Sequence, residues 1–151
     1  MWLSTGSVLL SIWGVFLDQH LDFSKHVDTL IKTAASKLQF LYRNRRFLNN
    51  YTRKLLCQSL VFSRIEYCAS AWYPGLLSSL RGTIDVLQRK CARFTLDLGP
   101  MSHIGDNEFK ALSWLPFTKR VSYFSLAHVF KIKNGLSPSY LSDNFTRVAS
   151  V

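Results

Sequence analysis

Apolar positions recur at helical spacing along most of this chain, broken by polar turns and a few Pro and Gly residues. The cleanest run is Leu77, Leu80, Ile84, Leu87, Cys91, Phe94 and Leu98, with alternating steps of three and four. It predicts a helix from about 78 or 79 to a stop at Gly99-Pro100. Its Gly82 costs roughly 1 kcal/mol relative to Ala and suggests a close helix contact. Upstream, Val27, Leu30, Ile31, Ala34, Leu38 and Leu41, widened by Ala35, predict a helix over about 23–43. Asn49-Asn50 supplies a cap for a second helix, about 52–67, that buries Leu55, Leu56, Leu60 and Ile65. Residues 69–72 extend it until Pro74-Gly75 ends the segment.

After a short helix near 107–112, Pro116 occupies a first-turn position and a further helix runs over about 117–134. Phe117, Val121, Phe124, Ala127, His128 and Phe130 form its inward stripe, and Gly135 closes it after Lys131 and Lys133. Ser137-Pro138 begins a last turn with Tyr140 and Leu141. At the other end, residues 13–17 are apolar, rich in strand formers and stopped by Asp18, which predicts a short core strand. The apolar run 8–17 has no preceding cation and no small-residue cleavage site, and it is shorter than the roughly 20 residues of a membrane span. The fold class expected is mainly α: a small bundle of four main helices plus short ones, behind a short N-terminal strand.

Charge sharpens the picture. Nineteen Lys and Arg against nine Asp and Glu give a formal net charge of +10. Such an excess suits a partner rich in phosphate. Two clusters hold much of it: Arg43, Arg45 and Arg46 with Arg53 and Lys54, and Arg89, Lys90 and Arg93 on the helix of cleanest period. Each side chain that meets a phosphate adds salt-dependent, sequence-independent affinity. The alternative is two ordinary solvated helix faces. Cys57, Cys68 and Cys91 form no CxxC pair and read as small core residues in a reducing, intracellular compartment.

Catalytic chemistry is not encoded in an obvious way. Polymerases hold two metal ions between clustered carboxylates, and no two of the nine acids are adjacent here. Asp85 is expected to pair along its helix with Arg81 or Arg89. Asp18, His20, Asp22 and His26 crowd together, but a strand-to-helix junction is where Asp caps a helix and His is simply polar. No glycine-rich phosphate loop of the GxxxxGK[ST] or GxGxxG type exists. We therefore expect no catalytic residue, metal, cofactor or small-molecule substrate.

Several signatures occur in order: GVFLDQHLDFSKHV at 14–27, SRIEYCASAWYPG at 63–75, LQRKCARFTL at 87–96, LSWLPFTKR at 112–120 and KNGLSPSYLSD at 133–143. Together they resemble the region just C-terminal to the polymerase core of LINE-type (non-LTR) retrotransposon reverse transcriptases. Gly14, Val15 and Leu17 match the hairpin called the primer grip, whereas Ser11-Ile12-Trp13 departs from its usual lead. The following helices resemble the thumb, which packs on the RNA–DNA hybrid. Arg64, Tyr67, Cys68, Trp72, Gln88, Arg89, Ala92, Trp114, Leu115, Pro116, Asn134, Gly135, Pro138 and Tyr140 fall on recurring family positions. The resemblance implies a non-catalytic thumb-like domain over 14–145, between a poorly matching lead (1–13) and a tail (146–151). It also implies non-specific contact with RNA, RNA–DNA hybrid or DNA, and no membrane partner. The rival reading is a decayed or domesticated helical interaction module with no nucleic-acid role.

Overall fold

The computed structural model describes residues 10–12, 14–17, 20–143 and 145. The protein is mainly α-helical, as its periodicity predicts. Two strands lead, β1 (Leu10–Ile12) and β2 (Val15–Leu17), paired antiparallel with Leu10 opposite Leu17. The single strand expected over 13–17 is thus one arm of a ribbon, turning at Gly14 with φ +80; Trp13 and Asp18 lie outside the described residues. Then come α1 (Ser24–Arg43), a 3-10 turn (Arg45–Phe47), α2 (Asn50–Cys57), a π-helical stretch (Gln58–Phe62), α3 (Ser63–Glu66) and α4 (Ala69–Trp72). The rest is α5 (Ser78–Leu96), α6 (Asp106–Ala111), α7 (Phe117–Lys133) and α8 (Ser139–Ser142). No helix among the described residues is long and apolar enough to cross a membrane.

One apolar core joins α1, the α2–α4 segment, α5, α6 and the first turns of α7. Val27, Ala34, Leu38 and Leu41 of α1 face Ile84, Leu87, Cys91 and Phe94 of α5 within it. Burying each Val, Leu, Ile or Phe contributes about 1.5–3 kcal/mol. Aromatic rings fill the other end. Phe62 meets Trp114 edge-on at 4.7 Å, and Phe117 lies 5.2 Å from Tyr73 and 6.4 Å from Trp72. Polar pegs then fix the pieces. Gln88, buried on α5, donates to the Leu115 carbonyl at 2.7 Å and accepts from the Phe117 N–H at 3.0 Å, so one amide holds the turn entering α7. Arg120 of α7 pairs with Glu66 of α3, and Tyr73 Oη lies 2.6 Å from Thr118 Oγ1.

Caps fall where the residues predict. Asn49 Oδ1 accepts from the Thr52 N–H at 2.8 Å. Gly135, at φ +67, closes α7 with its N–H on the Ile132 carbonyl and the Leu136 N–H on the Lys131 carbonyl.

Several expected faces are corrected. In the α2 segment the buried side chains are Arg53, Cys57, Val61, Phe62 and Ile65, while Leu55 is exposed and Leu56 and Leu60 are only half-buried. Arg53 and Cys57 take the core-facing side of α2, and a wide π turn over 58–62 follows it. Continuity also fails at Cys68, which adopts left-handed backbone (φ 51) and is exposed rather than a core thiol. Leu77 is exposed ahead of α5. Gly82 marks no close approach, since a Cβ there meets nothing within 4 Å. On α7 only Phe117 and Val121 are buried; His128 and Phe130 are exposed because the helix outruns the core it docks on.

Candidate nucleic-acid interface

Parts of the two basic clusters lie near one end of the bundle. Tyr42, in the last turn of α1, packs edge-on against Phe94 at 4.9 Å and donates from Oη to the Lys90 carbonyl at 3.4 Å. Just beyond, Arg45 Nη2 lies 2.7 Å from Asp97 Oδ1. These contacts set the C-terminal ends of α1 and α5 side by side, with the helices running in the same direction. Burial pushes the Tyr42 phenol above its usual value and Cys91 adds to that rise, while the Arg45 and Arg93 guanidiniums oppose it.

The eight cations are not equivalent. Arg43 and Arg46 are exposed on the corner between α1 and α2, and Lys90 is exposed on α5; none carries a side-chain hydrogen bond or ion pair among the described residues. Arg45 is about half exposed and tied to Asp97. Lys54 is half-buried. Arg93 is half-buried and donates from Nε to the Ser102 carbonyl at 2.8 Å, which pins the loop after α5. Arg89 points to a different side from Lys90, one step round the helix. It borders a hollow of 170 Å³ with Asp85, Ile104, Gly105 and Asp106. Burial raises the Asp85 carboxyl, and Arg89 partly offsets that.

Arg53 is the clear correction. It is buried, donates to the Arg45 carbonyl at 3.0 Å and the Phe94 carbonyl at 3.4 Å, and lies 3.0 Å from Asp97 Oδ1. Its guanidinium also sits 5.6 Å from the Phe94 ring centre. All of this is spent inside the fold, so Arg53 cannot reach a phosphate. It instead holds the α1–α2 corner onto the end of α5.

Of the Asp/His group near the ribbon, Asp22 and His26 have local packing partners, and Asp18 lies outside the described residues. Asp22 Oδ1 accepts from the Ser24 N–H at 2.8 Å at the start of α1. His26 is buried rather than simply polar: its Nδ1 faces the Phe16 N–H at 3.4 Å, and its ring meets Trp72 edge-on at 5.5 Å. Burial lowers its pKa below the usual imidazole value. Among the described residues no group of three His, Cys, Asp or Glu side chains is placed to hold a metal ion.

Sequence reading missed the apolar part of the corner. Phe47 is 86% exposed, Tyr51 70% and Phe40 58%, all among Arg43, Arg46 and Lys54. The available signal was their position off the core stripe of α1 and in the turn that follows. Comparison with protein-family models, curated proteins and solved structures finds no match for this chain.

Proposed function

We propose that this chain is a non-catalytic nucleic-acid-binding helical module that originates from the thumb-like region of a LINE-type reverse transcriptase. The observation that carries the binding reading is that Tyr42 places Lys90 of α5 beside the C-terminal end of α1, with Arg43 and Arg46 exposed just beyond it. Arg43, Arg46 and Lys90 form its exposed part, with Arg45 and Lys54 at its edge. Nothing in this arrangement reads bases, so the affinity is electrostatic and of low sequence preference. The ordered signatures over 14–143 support the origin. A helical body led by a strand ribbon is compatible with it. The chain carries no adjacent acidic pair, so it performs no templated synthesis with Mg²⁺ or Mn²⁺.

The test is fluorescence anisotropy with an RNA–DNA hybrid across a salt series. Replacing Arg43, Arg46 and Lys90 together by Ala should reduce the slope of log K against log salt by about 2–3 units. Lys131→Ala on α7 should leave it unchanged. An unaltered slope in the triple variant would return the corner to an ordinary solvated surface. The rival reading, a helical interaction module without nucleic acid, is favoured by one feature: Leu126, Val129 and Phe130 are exposed on the far half of α7.

A further inference from the structure

Resting on that reading, we propose that the α1–α2 corner takes single-stranded nucleic acid, stacking unpaired bases on Phe47 and Tyr51 while Arg43, Arg46 and Lys54 hold the phosphates. Exposed apolar residues scattered singly need no explanation. These are not scattered. Phe47 closes the 3-10 turn and Tyr51 lies in the first turn of α2, four residues on, with Leu55, also exposed, one turn further. Phe40 stands on α1 one turn before Arg43, and Lys54 follows Tyr51 by three residues. The corner therefore carries three exposed aromatic side chains interspersed along the chain with Arg43, Arg46 and Lys54.

Charge selects the partner. Between Asp28 and Glu66 the chain has eight Lys and Arg and no Asp or Glu. The acid that reaches the corner from outside, Asp97, is engaged by Arg45 and Arg53. The surface left over is cationic and aromatic, which fits a flexible polyanion bearing planar groups. A second copy of the chain would bring like charges together. A duplex offers the phosphates but keeps its base faces inside the stack, so Phe47 and Tyr51 would add nothing to its binding.

The experiment compares three labelled probes by anisotropy: an oligothymidylate of about 12 nucleotides, an abasic strand of equal length and charge, and a duplex of the same length. The wild-type chain should bind the oligothymidylate more tightly than the abasic strand by about 5- to 150-fold per stacked base. Replacing Phe47 and Tyr51 by Ala should erase that preference and leave the salt slope unchanged. Both side chains are exposed, so the variant is expected to keep its circular dichroism and melting. Replacing Arg43 and Arg46 by Ala should instead weaken both strands alike. Equal binding of base-bearing and abasic strands, or a preference that survives the aromatic double variant, overturns stacking while leaving the electrostatic reading intact. Tighter binding of the duplex does the same. Displacement of oligothymidylate by polyglutamate at matched charge would assign the corner to acidic protein instead. Failure to bind any probe at low salt removes the electrostatic reading and stacking together.

Discussion

Arg53→Ala is the substitution that best separates a residue holding the fold from one meeting a phosphate. The truncation removes two buried methylenes, worth about 0.8 kcal/mol each. It also removes the charged hydrogen bond to the Arg45 carbonyl (3.0 Å), worth about 1.5–3 kcal/mol. The 3.0 Å approach to Asp97 adds at most about 1 kcal/mol, because that carboxylate is half exposed and screened. Together these give a loss of about 3–6 kcal/mol, or a fall in Tm of about 6–24 °C for a chain of this size. Arg53→Lys should recover only part of it, since an ammonium cannot serve the Arg45 and Phe94 carbonyls and Asp97 from one planar fork. Urea and thermal melts give the stability, and anisotropy well below the melt gives the salt slope. A melt of Arg53→Ala within about 1 kcal/mol of wild type would refute a structural role for Arg53. So would a fully stable Arg53→Lys, or a salt slope that falls by about one unit as it would for a lost phosphate contact.

Leu87→Ala, at a position 3% exposed in the centre of α5, should cost about 2–5 kcal/mol, whereas Leu55→Ala, 46% exposed, should cost under about 1 kcal/mol; urea melts in the reverse order would mean the buried faces are misassigned. Gly82→Ala should raise stability by about 0.5–1 kcal/mol, because the site is mid-helix and a Cβ meets nothing within 4 Å; a drop in the urea midpoint would expose a contact not seen in the fold. His26 has its pKa lowered by burial, so below about pH 6.5 the unfolded chain takes up more protons and stability falls as pH falls. His26→Gln should flatten that slope between about pH 7.5 and 5.5, and parallel slopes would sink the assignment. Glu66 and Asp85, whose carboxyls burial raises, lose stability as pH rises instead, and they do so equally in both chains, which leaves the difference to His26.

The long helices were legible because their signals are local. In α1 and α5 the apolar steps of three and four, the Asn49 cap ahead of α2 and Gly135 after α7 each depend on residues within a turn or two. What failed depends on neighbours far along the chain. Periodicity says which residues of α7 share a face; it does not say where the core ends. Phe130 therefore lies in the open, although it belongs to the same apolar run as Phe117. The α2 segment failed for another reason: Arg53 and Cys57, rather than Leu55 and Leu56, take its core-facing side, and a π turn follows. The basic site shows the same limit. Arg46 and Arg53 are seven residues apart and alike in composition, yet only Arg53 finds the Phe94 carbonyl, 41 residues on, and becomes structural.

Several of the residues in the resembling signatures have architectural jobs. Gln88 and the Trp114-Leu115-Pro116 turn are two signatures in sequence and one feature in space, because a single amide satisfies Leu115 and Phe117. Tyr67 and Trp72 are likewise joined: the indole Nε1 donates to the Tyr67 carbonyl at 2.9 Å across the left-handed break at Cys68. Asn134 and Gly135 close α7. A buried amide or a capping glycine tolerates little change, since its loss strands backbone groups at about 1–3 kcal/mol apiece. Exposed Arg43, Arg46, Phe47 and Tyr51 are under no such restraint from the fold. Likeness at the first group therefore bears on architecture and does not bear on binding. The proposed binding has to be decided at the corner, where the signatures are silent and where Arg43, Arg46, Phe47 and Tyr51 are exposed.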